Sequence, residues 1–133
     1  MDCLFCKIIE GKLPSAKIYE NEHVVAFLDI NPVHPGHTLV VPKHHSTSLF
    51  DMPDDDIAAV FHAAKKVAQA VKEATSAGGI NVNMNNDKAA GQVVFHSHIH
   101  LIPRFENDGL KLWPGRKYSE GQQAEIQKRI VGC

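Results

Sequence analysis

The sequence predicts an α+β fold: a five-stranded antiparallel sheet, one long helix, and a short helix near each end of the chain. Three observations favour it. Residues 17–41 contain three short strand-like stretches separated by turn residues, and residues 80–84 and 91–104 show further alternating patterns. Residues 51–75 repeat apolar side chains at spacings of three and four. Alternation has the two-residue period of a strand, and the longer spacing has the period of an amphipathic helix.

The composition is that of a single ordinary domain. With 133 residues, 44% of them hydrophobic, the chain can form one core, which we place at residues 1–104 with an extension at 105–133. Its 14 basic and 15 acidic residues form no basic cluster, which argues against a nucleic-acid polymer as partner. No apolar run approaches the roughly 20 residues of a membrane span, and no secretory signal is visible. We therefore expect a cytoplasmic protein without a membrane partner, with nuclear entry left open.

The first chemical signal is a Cys-x-x-Cys pair. Cys3 and Cys6 lie in a stretch that predicts a short helix closed by Gly11, and their spacing places both sulfur atoms on one helical face. Thioredoxin-like chemistry would need this motif after a strand, and the third cysteine, Cys133, is the last residue, so a disulfide framework is not indicated. Zinc binding is the favoured interpretation, and two unrelated thiols are the alternative.

Three strands are predicted next, over residues 17–20, 24–28 and 38–41, with turns between them. Asp29 ends the second strand, just before a turn that contains two prolines. A carboxylate at this position can accept hydrogen bonds from a ribose diol, or it can cap the turn. The residues alone leave both roles open.

The long helix is predicted over residues 51–75 and should cover one face of the sheet. Pro53 and the three aspartates that follow it suit the positive amino-terminal end of a helix. The apolar stripe of this helix comprises Ile57, Val60, Phe61, Ala64, Val67, Val71 and Ala74. Residues 80–84 follow as the fourth strand, and residues 85–92 form an Asn- and Gly-rich loop.

Residues 91–104 predict the fifth strand and carry the strongest functional signal. His96, His98 and His100 alternate with other residues, so on one strand their imidazoles would share a face. Neighbours in such a row are roughly 7 Å apart and the outer two roughly 13 Å apart. Because a Zn–N bond is about 2.0 to 2.1 Å, one ion can hardly bind all three. At least one histidine is left for other chemistry, and a neutral imidazole is a good nucleophile.

This stretch resembles the motif of the histidine triad superfamily of nucleotide hydrolases and transferases. That motif is His-x-His-x-His followed by two apolar residues, here residues 96–102. Residues 28–32 (Leu-Asp-Ile-Asn-Pro) and 37–43 (His-Thr-Leu-Val-Val-Pro-Lys) match further family motifs in the same order. Ser97 stands where the family usually has an apolar residue and should change packing more than chemistry. The Cys pair and Trp113-Pro114-Gly115 resemble the histidine triad nucleotide-binding branch.

The resemblance implies a structural zinc site and a homodimer. Relatives with this Cys pair take their other zinc ligands from the loop after Pro-Lys and from the first triad histidine. Those positions are His45 and His96 here, with His44 as the rival for His45. No catalytic metal is required. In this superfamily the long helix also helps to form a symmetric dimer.

The resemblance also implies a covalent mechanism. His98 would attack the α-phosphorus, His100 would hold the phosphoryl oxygens, and His37 would support the active-site histidines from behind. Asp29 would bind the ribose. The other positions implied for nucleotide binding are Leu4, Phe5, Ile8, Leu13, Phe27, Ile30, Leu39, Asn85, Gly91, Gln92 and Val93.

Some of these positions have simpler interpretations. Six of the apolar positions are core residues on sequence grounds alone: Leu4, Phe5, Ile8, Leu13, Phe27 and Leu39. The loop that contains Asn85, Gly91 and Gln92 is most simply a turn. Beside a nucleophile, however, Asn85 and Gln92 could donate hydrogen bonds to phosphate oxygens. Val93 replaces a Ser or Thr of the family, so the leaving-group preference stays open.

We therefore expect a hydrolase or transferase that cleaves the α-phosphate bond of AMP-linked substrates of the purine nucleoside phosphoramidate type. Its nucleotide partners would be AMP, GMP or AMP conjugates. The alternatives are a dinucleoside polyphosphate hydrolase and a nucleotide-binding interaction module with incidental activity. The extension has no assigned role; a capping box from Ser119 to Gln122 predicts that a final helix begins there.

Overall fold

The computed structural model describes residues 2–133 and confirms the α+β architecture. Five strands form one antiparallel sheet in the order β1-β2-β3-β5-β4. Two 3-10 turns, Leu49–Asp51 and Lys88–Ala90, lie in the loops. The helices and strands are α1 Leu4–Ile9, β1 Lys17–Glu20, β2 Val24–Leu28, β3 Thr38–Pro42, α2 Asp54–Thr75, β4 Gly79–Asn83, β5 Ile99–Arg104 and α3 Gln122–Val131.

Both faces of the central strands are buried, each against a different helix. Val60, Ala64 and Val67 of α2 pack on one face, with Val40 and Ile99 of the sheet. Phe5 of α1 packs on the opposite face with residues of β2 and β3, namely Val25, Phe27, Leu39 and Val41. This two-sided burial explains why β2 and β3 read as continuous apolar runs.

The predicted bounds of α2 and its apolar stripe need correction. The helix begins at Asp54, because Asp51 belongs to a separate 3-10 turn capped by Ser48. Phe61 is not part of the buried stripe, because its side chain is 49% exposed. Ala74 is exposed as well.

The prediction of one continuous strand over residues 91–104 was wrong in its first half. The strand β5 begins at Ile99, and the preceding residues bond to the loop after β3 instead of to a neighbouring strand. The backbone N–H of Ser97 donates to the carbonyl of Ser46, and the hydroxyls of the two serines are 2.7 Å apart. His96, Ser97 and His98 are all buried, so the three histidines do not form the evenly spaced row of a strand.

Residues 109–133 extend from the body, and every one of them is exposed. The helix α3 begins at Gln122, with Gly121 as its N-cap, two residues later than predicted, although the backbone N–H of Ser119 does donate to the side chain of Gln122. The division into a core and an extension stays a prediction. None of the helices within residues 2–133 is long and apolar enough to cross a membrane.

Candidate active site and metal centre

A cleft of about 560 Å³ opens on the face of the sheet that carries α1. Phe5 forms its floor, with its ring edge-on to Phe27 at a centroid distance of 5.4 Å. His98 and His100 lie on the polar side of the cleft, with Asp29. The sequence-predicted residues that line it are Leu4, Phe5, Ile8, Leu13, Phe27, Asp29, Ile30, Leu39, Asn85, Gly91, Val93, His98 and His100.

His98 is held so that its Nε2 atom keeps a lone pair. Its Nδ1–H donates to the backbone carbonyl of His96 over 2.7 Å, so in the neutral ring the second nitrogen carries no proton. The ring stands edge-on to Phe5 at 5.1 Å and is 6% exposed. Burial lowers the pKa of His98, although the His96 carbonyl and Asp29 oppose this effect. The residue is therefore a neutral imidazole at pH 7 that can act as a nucleophile.

His37 and His100 form a proton chain that begins at a backbone group. The N–H of Val33 donates to His37 Nδ1 over 3.0 Å, so the proton of the neutral His37 ring is on Nε2. That Nε2–H donates to His100 Nδ1 over 2.9 Å, which leaves the proton of His100 on its own Nε2. Burial, assisted by His98 and His37, lowers the pKa of His100 to about 4. A neutral His100 that lines the cleft can donate a hydrogen bond into it.

Asp29 performs one of its two predicted roles within the chain. Its Oδ1 accepts a hydrogen bond from the backbone N–H of Asn31 over 2.8 Å, which is the turn-capping role. Its Oδ2 lies 3.6 Å from His37 Nε2, and the side chain is 19% exposed. Because Asp29 also lines the cleft, the geometry leaves its carboxylate available for a ligand.

Gln92 does not line the cleft, and its predicted role as a phosphate donor needs correction. Its side-chain NH₂ donates to the carbonyls of Thr47 and Val94 over 2.6 and 3.1 Å, and its Oε1 accepts from the N–H of Asp87 over 2.8 Å. Both side-chain donor hydrogens are therefore used within the protein. Gln92 instead ties the loop of residues 85–92 to the loop after β3.

The other loop residues lie at the rim of the cleft. Gly91 has a φ of +93°, and a Cβ at this position would be 3.7 Å from Asn85 Nδ2, so the two residues are close. Val93 is 84% exposed and Ile30 is 89% exposed, so neither is part of the core. Sequence reasoning missed the lining residues Pro14, Ser15, Leu28, Asn31 and Val94, which only adjoin predicted positions along the chain.

A second cluster joins α1 to the sheet. Cys3, Cys6, His45 and His96 each offer one ligand atom, and these four atoms lie within 4.8 Å of one another. The Nε2–H of His96 donates to the carbonyl of Pro42 over 2.8 Å, so its Nδ1 carries the lone pair that faces the sulfur atoms. His44 is not part of the cluster, because it is exposed and its Nδ1 faces Asp56 at 2.9 Å.

The spacing of the ligand atoms fits a tetrahedral metal ion. Zinc bond lengths of about 2.05 Å to nitrogen and 2.3 Å to sulfur give tetrahedral edges of about 3.3 Å for N···N and about 3.6 Å for N···S. The corresponding distances are 3.1 Å between the two Nδ1 atoms and 3.4 to 3.5 Å from the sulfur atoms to His96. Burial and the neighbouring Cys3 raise the pKa of the Cys6 thiol to about 11, so a cation would be needed to stabilise its thiolate at pH 7. These four residues can hold a metal ion.

Residues 10–107 match the HIT domain family. The chain belongs to this family. Adenosine 5'-monophosphoramidase HNT1 of Saccharomyces cerevisiae is 40% identical over 131 residues, which cover 97% of this chain and 80% of that protein. The crystal structure of a HIT family member from Bacillus subtilis has a TM-score of 0.90 and 42% identity, covering 99% of this chain and 96% of that one. A zinc-bound histidine triad protein from Mycobacterium smegmatis has a TM-score of 0.80 and 36% identity, covering 99% and 98%.

Proposed function

We propose that this HIT-domain enzyme cleaves the α-phosphate bond of AMP-linked substrates through a nucleotidyl intermediate on His98. One observation carries the proposal: the hydrogen bonds leave a lone pair on His98 Nε2 and a proton on His100 Nε2, and both residues line the same cleft. A nucleophile and a hydrogen-bond donor for the phosphoryl group therefore lie side by side, with ring centroids 5.0 Å apart.

The reaction has two displacements at phosphorus. His98 Nε2 forms a bond to the α-phosphorus while the bond to the leaving group breaks, and an amine leaving group takes up a proton from solvent. The His98 ring becomes positively charged, and its Nδ1–H stays bonded to the His96 carbonyl. Water then attacks phosphorus and loses a proton to solvent, the P–N bond breaks, and AMP and neutral His98 are released. His100 Nε2–H donates to the phosphoryl oxygens most strongly in the two transition states, so no step requires a catalytic metal.

The cleft suits a purine nucleotide. Its apolar side, from Leu4 and Phe5 to Leu39, offers a slot for a purine base, and the free capacity of Asp29 can accept from the ribose hydroxyls. The yeast relative is named for hydrolysis of an adenosine monophosphoramidate, which favours a phosphoramidate over a dinucleoside polyphosphate as substrate. Binding of AMP, GMP or an AMP conjugate in this slot is part of the proposal.

The deciding experiment is a rapid denaturing quench at alkaline pH, where a phosphorus–histidine bond survives, of the enzyme mixed with an adenosine phosphoramidate, followed by mass analysis of the protein. We expect an AMP-sized mass increase on a peptide that contains His98, and no adduct in His98→Ala. Turnover of a diadenosine polyphosphate, measured in parallel, ranks the two substrate classes. AMP binding with neither adduct nor turnover would contradict the proposal and favour the nucleotide-binding interaction module.

We further propose that Cys3, Cys6, His45 and His96 bind a structural zinc ion. The fitting ligand distances and the zinc-bound relative from Mycobacterium smegmatis support this assignment. Bound there, zinc would stabilise two thiolates and fasten α1, with its cleft residues Leu4 and Phe5, to the sheet. Metal analysis of the purified protein, with one equivalent of zinc expected, tests it.

A homodimer is the proposed assembly. Phe61 of α2 is 49% exposed, Leu112 and Trp113 of the extension are 74% and 90% exposed, and we expect a partner chain to cover these apolar side chains. We expect twice the chain mass by light scattering and a shift toward the monomer in Phe61→Glu, with Lys66→Glu, at an exposed site on another face of α2, as the control. A monomeric wild type would contradict the dimer. The cytoplasmic location stays a prediction.

A further inference from the structure

A buried polar cluster lies where β5 meets the extension, away from the cleft. Arg104 donates from Nε and Nη2 to the two carboxylate oxygens of Asp108, over 2.7 and 3.1 Å, and from Nη1 to Asn81 over 2.6 Å. Asp108 also accepts the backbone N–H groups of Phe105 and Leu110. Its side chain is only 5% exposed. A carboxylate with this many donors has a fixed position.

His34 connects this cluster to the turn between β2 and β3. Its Nε2 lies 3.3 Å from Asp108 Oδ2, and its ring stands edge-on to Phe105 at 5.3 Å. No local pattern assigns His34 a chemical role, because it matches no chemical position of the family motif. Its ring is nevertheless mostly covered, at 22% exposure.

The same turn supplies the two backbone groups that hold His37. The carbonyl of His34 accepts the N–H of His37 over 3.0 Å, and the N–H of Val33 donates to His37 Nδ1 over 3.0 Å. Val33 itself is 45% exposed and belongs to no helix or strand. The position of its N–H therefore depends on how firmly the neighbouring residue His34 is held.

We propose that Asp108 and His34 are positioning residues for the reaction, which brace the turn so that the Val33 N–H keeps the His37 proton on Nε2. This inference rests on the proposed function, because its effect on turnover is exerted through His100. Neither residue lines the cleft. Their contribution is to the placement of a proton and not to contact with the substrate.

Loss of the contact between His34 and Asp108 would change where His37 and His100 carry their protons. Without the Val33 N–H, His37 can carry its proton on Nδ1 and can then only accept at Nε2. His100 would have to place its proton on Nδ1 to keep the bond to His37, and its Nε2 would lose the proton that faces the cleft. The donor to the phosphoryl group would be lost in part of the molecules, while the apolar slot would be unchanged.

Two substitutions of His34 distinguish the effect of its N–H, which faces Asp108, from the effect of its ring, which packs on Phe105. His34→Phe keeps a ring against Phe105 and removes the N–H, whereas His34→Gln removes the ring and keeps an amide donor near Asp108. His62→Phe, at an exposed site on α2, is the matched control. The readouts are kcat and KM for an adenosine phosphoramidate, the AMP dissociation constant, and nitrogen-15 NMR shifts of the His37 and His100 rings.

We expect kcat to fall about tenfold in His34→Phe, part of the 10²- to 10⁴-fold that a positioned proton donor contributes. KM and the AMP dissociation constant should stay within about twofold, because the slot does not change. The NMR shifts of His100 should move away from those of a pure Nε2–H tautomer. His34→Gln should recover most of the lost kcat, and His62→Phe should match the wild type.

Two results would overturn this proposal. The first is unchanged kcat and NMR shifts in His34→Phe, and the second is a parallel loss of AMP affinity and thermal stability that His34→Gln does not restore. The second result would assign His34 to packing alone. Failure of the proposed function is distinguishable, because it would remove turnover and adduct in the wild type. The NMR comparison would then still report whether His34 controls the tautomers.

Discussion

His96 in the metal centre and His98 in the cleft are two residues apart and differ in which ring nitrogen the backbone holds. His96 donates from Nε2 to the carbonyl of Pro42, whereas His98 donates from Nδ1 to the carbonyl of His96. The nitrogen left with a lone pair is thus Nδ1 in the first case, facing two cysteines, and Nε2 in the second. The carbonyl within reach of each ring therefore leaves free the nitrogen that its proposed role requires, metal ligand for His96 and nucleophile for His98.

The largest expected effect comes from removing the free nitrogen of His98 while keeping the hydrogen bond to the backbone. His98→Asn keeps an N–H close to the position of Nδ1, and so can still donate to the His96 carbonyl, but it has no nucleophile. We expect turnover to fall by at least about 10³-fold with little change in melting temperature, since loss of a nucleophile costs up to about 10⁶-fold in other enzymes. Steady-state assays beside His62→Asn test this, and turnover within tenfold of the wild type would contradict the role of Nε2.

Removing ligands from the candidate metal centre that contains His96 should lower the stability of the fold before it affects turnover. Cys3→Ser combined with Cys6→Ser should abolish zinc binding, and at free zinc 100 times the dissociation constant the lost stabilisation is about 2.7 kcal/mol. Urea unfolding and metal analysis measure both quantities, with Cys133→Ser as the exposed control. Equal zinc content in the double variant would refute the ligand assignment.

Gln92 tests whether a polar residue near the cleft must act on the substrate. Gln92→Met removes three hydrogen bonds from a side chain that is 3% exposed, and leaving their partners unpaired should lower the free energy of unfolding by about 1 to 3 kcal/mol. We expect kcat to change less than stability does. Gln123→Met, at an exposed site of α3, is the control, and a large loss of kcat at unchanged stability would restore the predicted phosphate role.

The smallest effect concerns acid pH. With a pKa of about 4, His100 is only about 10% protonated at pH 5, where an ordinary histidine of pKa 6.5 would be almost fully protonated. Its contribution to turnover should therefore persist at pH 5 and be lost as the pH falls toward 4. The profile of kcat between pH 4 and pH 8 measures this. A loss of kcat centred at pH 6.5 would contradict the lowered pKa of His100.

The same depressed pKa has a consequence for stability. Between pH 4 and 6.5 the unfolded chain binds a proton at this histidine that the folded chain does not bind. The free energy of unfolding is therefore unaffected by His100 above pH 6.5 and decreases as the pH falls from 6.5 toward 4. Urea unfolding at pH 7 and pH 5 should show the lower stability at pH 5.

Periodicity predicted most of the fold, because α2 and the strands bury one or two continuous faces. It could not predict that β5 begins at Ile99, since the bonds of His96 and Ser97 to Pro42 and Ser46 cross about 50 residues of chain. The Cys pair and the family motif located the ligand cluster and most of the cleft. The tautomers, the use of Gln92 within its loop and the brace at His34 depend on distant partners, and so no local pattern indicates them.

Backbone atoms set the proton positions of three histidines. The N–H of Val33 does so for His37, the carbonyl of Pro42 for His96, and the carbonyl of His96 for His98. Every amino acid carries a carbonyl, and every one except proline carries the N–H. Any residue except proline at position 33 therefore supplies the same N–H, and an alanine substitution there would leave the function unchanged. Transfer of the histidines alone to another protein scaffold would copy the side chains and omit the backbone atoms that determine which nitrogen of each ring carries the proton.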